Sequence, residues 1–190
     1  MTTVATAPAS LAELSGRWTL DPAHTRIGFV ARHAMVTKVR GAFNEFEGSA
    51  VVDATDFARS SAQLTIQANS IDTRQAQRDE HLRSNDFLGM EEYPTITFVS
   101  TDVKQTGPAS LELTGDLTIK GATNSVTVPF DFEGAATDPF GNLRVGFEGS
   151  VVINRKDYGI TWNAALETGG VLVSDKITLE FDVSAIRTNA

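Results

Sequence analysis

The chain has 190 residues, no cysteine, and a formal net charge of -8 from 24 acidic and 16 basic side chains. This length is typical of one domain, and the absence of cysteine excludes disulfides, thiolate metal sites and thiol nucleophiles. A negative charge without a basic run argues against nucleic acid and anionic membrane surfaces as partners.

The N-terminal residues predict neither a leader nor an anchor. Residues 1–9 are small and polar, which is typical of a disordered tail, and a single domain is predicted over residues 10–190. The tail has no positively charged start and no sustained apolar run, so we expect a cytoplasmic protein without membrane insertion. Ser10 and Glu13 have capping-box spacing, which predicts a short N-terminal helix ended by Gly16.

Apolar residues at every second position predict strands along most of the chain. Turn residues separate the alternating runs, for example between 126–132 and 145–153. The run 39–52 contains Gly41 and Gly48, which predicts a strand that bends. About eight strands in successive hairpins favour an all-β, antiparallel up-and-down barrel without exposed edges. A two-sheet sandwich is the alternative.

One charged segment, residues 72–90, interrupts the strands and predicts a short helix. Asp72 is the predicted N-cap, with Gln75 completing a capping box. Three apolar residues follow, and we expect them to cover an opening: Phe87, Leu88 and Met90.

Arg78 and His81 are neighbours at i, i+3 on this helix and could donate to the polar end of a ligand. A solvated helix face is the alternative that the residue types favour. Asp79 beside His81 also raises the alternative of catalysis, but the chain has no nucleophile elbow or phosphate loop, so no enzyme is predicted. The three histidines lack metal-ligand spacing, so no metal site is predicted: His24, His33 and His81.

Several ordered motifs resemble one family. They are Trp18 with Asp21 and His24, Ile27-Gly28-Phe29, Arg32-His33, Gly41-Ala42-Phe43, Ser70-Ile71-Asp72-Thr73, Arg78-Asp79 with His81-Leu82, Tyr93-Pro94 with Phe98, Gly115-Asp116-Leu117-Thr118-Ile119, and Asn154-Arg155-Lys156-Asp157-Tyr158-Gly159. Together they resemble the YceI-like polyisoprenoid-binding proteins of lipocalin-like fold. The resemblance implies a barrel that holds a polyprenyl chain, an isoprenoid quinone or a related lipid, with no other cofactor. It also allows a homodimer. Family members with a secretion signal act in the periplasm or outside the cell, and this chain resembles those without one.

Alternation alone predicts only that inward residues fill a core. The resemblance implies instead that some of them line a ligand cavity. The apolar candidates are Phe29, Phe43, Leu64, Ile66, Phe87, Met90, Phe98, Leu113, Leu117, Val128, Phe130, Phe147, Val151, Leu179 and Phe181. The candidates for the polar end of the ligand, expected near residues 72–90, are Arg32, His33, Arg78 and His81.

The predicted function is therefore binding, sequestration or transport of one long apolar ligand. An enzyme acting on a lipid or quinone and a structural module with a filled interior are the alternatives. The charged motif 154–159 interrupts the alternation and is interpreted as an anchor for the turn after it, with a surface charge pair as the other interpretation.

Overall fold

The computed structural model describes residue 8 and residues 10–188, so the predicted tail, apart from Pro8, lies outside the described residues. Within them, eleven β-strands and one α-helix form, joined by turns and short 3-10 helices. The elements are β1 (Gly16–Leu20), β2 (Arg26–His33), β3 (Thr37–Phe43), β4 (Phe46–Val52), β5 (Ser61–Gln67), β6 (Ile71–Asp72), α1 (Ala76–Arg83), β7 (Thr95–Gly107), β8 (Ser110–Ile119), β9 (Ala122–Thr137), β10 (Leu143–Asn154) and β11 (Lys176–Thr188).

Hydrogen bonding closes these strands into an antiparallel barrel of eight long strands. Three of the eight consist of two segments each, namely β1 with β2, β3 with β4, and β5 with β6. The last strand closes the ring because β11 pairs with both segments of the first, through residues 185–188 and residues 178–182. The predicted all-β, lipocalin-like up-and-down barrel is confirmed, and the closed ring excludes the sandwich.

The run 39–52 bends as predicted, but not at its glycines. The break lies at Asn44 and Glu45, between β3 and β4. The backbone N–H of Asn44 donates to the carbonyl of Ser70 at 3.1 Å, and Ser70 ends the 3-10 turn between β5 and β6. The bend is therefore held by a bond to the corresponding break in the neighbouring strand.

Helix α1 lies within the predicted segment, but the predicted capping box is wrong. Gln75 is the N-cap and makes no side-chain cap bond. The Asp72 carboxylate instead accepts the backbone N–H of Arg74 at 2.8 Å, because a short Asx turn competes with capping. The capping box at Ser10 is also wrong, since its side chain makes no cap bond and the helix there is one 3-10 turn, Leu11–Glu13.

The two barrel ends differ in how they are closed. The helix end carries the connections 34–36, 73–94, 120–121 and 155–175, and the opposite end carries 53–60, 108–109 and 138–142 together with the N-terminal turn. At the opposite end Leu11 and Leu14 are buried. The indole N–H of Trp18 donates to the Leu14 carbonyl at 2.9 Å, which fastens this N-terminal turn to the barrel.

Candidate ligand-binding site

The barrel interior contains two adjoining apolar chambers. Chamber A has a volume of about 220 Å³ and chamber B, nearer the helix end, about 150 Å³. Both are lined by Ile27, Leu179 and Phe181, which therefore form a waist between them. Leu113 and Val151 line chamber A and are only half-buried, as expected for side chains that face a cavity and not a close-packed core.

Glycines opposite phenylalanines help to keep the interior open. Gly149 of β10 pairs with Phe130 of β9 on one side and with Phe181 of β11 on the other. The two rings approach each other across it, with centroids 5.9 Å apart. A Cβ at position 149 would lie 2.6 Å from Cδ1 of Phe130. Gly41, paired with Phe29, is covered by that ring in the same way. The rings therefore lie along the wall and do not fill the centre.

Chamber A spans the middle and the opposite end of the barrel. Leu14 and Trp18 form part of its wall, so the N-terminal turn closes this side. Its lining is apolar except for four residues of β4, β5 and the turn before β5: Ser49, Ser60, Ser61 and Gln63. Such a lining favours a hydrocarbon chain over a polar solute.

Chamber B is capped by two chain segments at the helix end. The first, which follows α1, contributes Phe87 and Leu88, and both are buried. The second, residues 159–175, contributes Ile160 and Val173. The cap is built from connections and not from strands, so it can open without breaking the barrel's hydrogen-bond ladder.

Arg155 holds the second cap segment in place. The residue is 3% exposed, and its guanidinium donates to the carbonyls of Ile160, Trp162, Val173 and Ser174 at 2.8 to 3.3 Å. Burial lowers the pKa of Arg155, and the nearby Asp175 carboxylate opposes that shift. The predicted anchoring role of the 154–159 motif is visible here as this set of bonds.

Tyr158, within the 154–159 motif, is a polar residue that was not among the predicted polar candidates. The residue lines chamber B and is 2% exposed. Burial raises the pKa of its hydroxyl, and the neighbouring Asn124 side chain opposes that shift. The wall of chamber B is apolar throughout, so the ring of Tyr158 faces the cavity and its hydroxyl does not.

The structure places fourteen of the fifteen predicted lining residues on a chamber wall. In chamber A are Leu64, Phe98, Leu113, Leu117, Val128, Phe130, Phe147 and Val151, in chamber B are Phe29, Phe43, Ile66 and Phe87, and at the waist are Leu179 and Phe181. Met90 packs against the core beside chamber B but lines neither chamber. Contact of these residues with a ligand stays a prediction.

None of the four predicted polar candidates lines a chamber. Arg78 donates through Nε to the Thr73 hydroxyl and through Nη2 to the Thr73 carbonyl, both at 2.7 Å. His81 packs its ring against Phe87 and Trp162. The other two, Arg32 and His33, are exposed on the β2–β3 hairpin. The structure does not bring the four together.

The three histidines lie on different elements. His24 Nδ1 is 2.6 Å from Asp21, His81 Nε2 is 2.8 Å from Asp86, and the backbone of His33 forms an isolated β-bridge with Val173. Among the residues that the structure describes, no three His, Asp or Glu side chains form a group that could hold a metal ion.

The profile of the YceI-like domain family matches residues 18–185. A UPF0312 protein of Staphylococcus aureus (strain MSSA476) is 40% identical over 164 residues, which cover 86% of this chain and 93% of that protein. BcnA of Burkholderia cenocepacia has a similar crystal structure, with a TM-score of 0.76 and 27% identity over 87% of this chain and 98% of that one. A polyisoprenoid binding domain from Saccharophagus degradans has a TM-score of 0.69 and 16% identity over 90% of this chain and 98% of that one, a likeness of fold alone.

Proposed function

Because this chain belongs to the YceI-like domain family, we propose that it binds and carries one long apolar molecule inside its barrel. The observation that supports this most directly is the pair of adjoining chambers, joined at Ile27, Leu179 and Phe181. Two chambers with a waist suit a flexible chain that threads through both. They suit a rigid, compact ligand less well.

Filling the chambers with an apolar ligand is energetically favourable. At about 24 cal/mol per Å³, an unfilled cavity of the size of chamber A, about 220 Å³, costs on the order of 5 kcal/mol. Each methylene that a ligand transfers from water into the chambers contributes about 0.8 kcal/mol. A prenyl or acyl chain can therefore bind through burial alone, before the entropy lost on association is subtracted.

The ligand class we propose is a polyisoprenoid, an isoprenoid quinone or a related lipid. The structural neighbour from Saccharophagus degradans is described as a polyisoprenoid binding domain, which agrees with a prenyl chain. We place the polar end of the ligand at the helix end, beyond chamber B, because the cap there is built from connections and the other end of the barrel is closed by Leu14 and Trp18.

We propose binding and not catalysis. The Asp79 carboxylate, which the sequence pairs with His81 in the catalytic alternative, is 6% exposed and accepts the backbone N–H and the hydroxyl of Thr73. His81 is engaged with Asp86 and two aromatic rings, and neither Asp79 nor His81 lines a chamber. These bonds give both residues a structural role at the start and end of α1.

The test is to extract purified protein with organic solvent and to identify what is released by mass spectrometry. A lipid released in near-stoichiometric amount supports the proposal. Protein that is purified without bound lipid is then mixed separately with a polyprenol, a quinone and a fatty acid. Native mass spectrometry measures the uptake of each. No lipid released and no uptake of any of the three would overturn the proposal.

A further inference from the structure

The β2–β3 hairpin has a charge opposite to that of the rest of the protein. Residues 22–44 contain four basic residues, Arg26, Arg32, Lys38 and Arg40, and no Asp or Glu, in a chain with a formal charge of -8. Surface electrostatic interactions act over about 8 Å at physiological salt. The local charge of the hairpin, and not the net charge of the chain, therefore decides what its tip attracts.

The hairpin projects beyond the neighbouring strands at the helix end. Its last ladder pair with β11 is Val30 with Thr178, and its last pair with β6 is Ala42 with Asp72. At about 3.3 Å per residue, the strand from position 30 to the turn extends about 10 Å further, and there residues 32–34 pair with residues 172–174 of the connection before β11. The tip is therefore presented outward.

The tip is apolar. Met35 is 63% exposed, Val36 is 74% exposed, and Val171 on the neighbouring turn is 39% exposed. The two turns are joined, because Ala34 N–H donates to the Leu172 carbonyl at 2.8 Å and the Met35 thioether lies where any side chain at Gly170 would collide with it. We call Met35, Val36 and Val171 the apolar tip.

Other residue types would adopt the backbone conformation of this turn with less strain. Ala34 has a φ of 50° and Met35 a φ of 63°. Two successive positive φ values favour Asn and Gly, and other residues there are strained by roughly 1 kcal/mol each. The sequence keeps a large apolar side chain at this strained position, where 63% of it is exposed and its thioether lies against the neighbouring turn at Gly170.

The nearest cations are also left without partners. Arg32 lies directly opposite Lys38 in the β2–β3 ladder, and both side chains are exposed. Within the described residues neither forms an ion pair, whereas Arg26 and Arg40, nearer the base, share Glu180. Like charges facing each other across a strand pair are unfavourable unless an anion lies nearby.

Acidic side chains at this end belong to other connections. Glu167 is exposed on the turn beside the tip, and Asp157 and Asp175 are on the same connection, where Asp175 pairs with Arg155 and Lys156. Four more exposed acids are on the connection 73–94: Glu80, Asp86, Glu91 and Glu92. None of these seven forms an ion pair with a hairpin cation among the described residues, where Glu180 is the acid that pairs with Arg26 and Arg40. They do not neutralise Arg32 and Lys38.

We infer that the β2–β3 hairpin docks the protein onto an anionic lipid surface. The apolar tip would enter the interface between head groups and acyl chains, while Arg32 and Lys38 pair with lipid phosphates. Docking of this kind needs no membrane-spanning segment, and no helix in the described residues is long and apolar enough to be one.

The docked surface adjoins chamber B. Ala31, just before the tip, and Val173, just after Val171, both line that chamber. If the proposed function holds, docking brings the capped end of the barrel to the bilayer, where an apolar ligand can pass between membrane and chamber. Docking itself can be measured with or without a ligand.

The test is flotation of the purified protein with vesicles of phosphatidylcholine alone or mixed with phosphatidylglycerol. We expect binding to the anionic vesicles only, and weaker binding as salt is raised. Arg32→Ser with Lys38→Ser should weaken it by about tenfold or more, since each basic side chain near such a surface adds roughly fivefold in affinity.

A second variant separates docking from folding. Ala34→Asn with Met35→Gly installs the residues that the turn favours, so its melting temperature should rise while vesicle binding falls. The control is Phe140→Ser, because Phe140 is 88% exposed in the 138–142 connection at the opposite end. This variant should bind vesicles like the parent protein.

Four results would overturn the inference. They are no binding to anionic vesicles, equal binding to neutral ones, equal loss in the Phe140 variant, and a dimer on size-exclusion chromatography that the Met35 variant abolishes. The last would assign the tip to a second copy of the chain. Flotation reports on docking and lipid extraction on the interior, so failure of one is distinguishable from failure of the other.

Discussion

The ring of His81 packs edge-on against the indole of Trp162, with centroids 4.7 Å apart. His81 is on α1 and Trp162 is on the segment that Arg155 anchors, so this contact joins the two halves of the cap over chamber B. Phe87 completes the group, with its ring centroid 5.4 Å from Trp162 and 5.0 Å from His81. Among the described residues, these three rings are the aromatic connection between the two cap segments.

Trp162→Ala is expected to loosen the cap and leave the barrel intact. Each aromatic pair contributes roughly 0.5 to 1.5 kcal/mol, and the substitution removes two of them. Hydrogen exchange should accelerate in residues 84–90 and 160–173 and stay unchanged in β7 to β10, and bound lipid should exchange faster. Phe140→Ala, an exposed aromatic at the other end, is the control. Equal acceleration throughout the barrel would contradict a local role for Trp162.

Gly149→Ala is expected to lower both stability and ligand capacity. A Cβ there would lie 2.6 Å from Phe130 Cδ1 and from the Pro129 carbonyl, so the ring must move into the chamber. Overpacking of this kind costs about 1 to 3 kcal/mol. The control is Gly146→Ala on the same strand, where the new Cβ would lie 3.7 Å from its nearest neighbour. Urea unfolding and lipid uptake should separate the two variants, and identical behaviour would show that Gly149 is not needed for the open interior.

The sequence was sufficient for the strands and for most of the walls. Alternating residues such as Val151 must face one side of a strand, and strand closure then decides that this side is the interior. The polar residues were less predictable. Arg78 has the same sequence pattern whether it meets a ligand or bonds Thr73, and only the fold distinguishes the two.

The presence of an open cavity inside the barrel could not be predicted from the sequence either. A glycine in a strand permits a bulge, a bend or an aromatic ring lying across it. At Gly149 a ring lies across the glycine, because the register places Gly149 between Phe130 and Phe181.

The surface at the apolar tip was not predicted, because net charge averages over the whole chain. Arg32 and Lys38 are six positions apart in sequence, and the hairpin brings them opposite each other.

Val151→Phe is expected to block ligand binding, because Val151 lines chamber A. The added ring fills part of the cavity, so stability without a ligand should not fall and can rise. The matched control is Val152→Phe, the next residue on the same strand, which is 57% exposed on the outside. Lipid uptake should be lost in the first variant and retained in the second. Retention in both would mean that chamber A is not the ligand site.

Arg155→Met is expected to destabilise the cap strongly. Four backbone carbonyls lose their donor, and leaving buried acceptors unpaired costs roughly 1 to 3 kcal/mol for each group that water cannot reach. Urea unfolding should show a loss of about 3 kcal/mol or more. Lys156→Met is the control, since Lys156 is half exposed and makes only a surface ion pair with Asp175 at 3.2 Å. Equal, small losses in both variants would contradict an anchoring role for Arg155.

Arg144 should give the protein a stability that depends on pH. Its guanidinium bonds Asp21 next to the first strand and, at 2.7 Å, Asp138 in the turn before β10. A hydrogen bond with His24, followed by that with Arg144, lowers the pKa of Asp21. Burial acts to raise the pKa of Asp138, but hydrogen bonds from Asn142, Arg144 and the Phe140 backbone outweigh it and hold this pKa below its usual range.

A carboxylate with a lowered pKa stabilises the fold above its unfolded pKa of about 4, and this contribution disappears as the pH falls through the folded value. Arg144→Met should therefore reduce the free energy of unfolding at neutral pH, and the difference from the parent should narrow below about pH 4. Urea unfolding at a series of pH values measures it. Arg59→Met, which removes an exposed pair with Asp56, should change little at any pH. A difference for Arg144→Met that stays constant down to low pH would mean that the residue acts through packing and not through its two carboxylate partners.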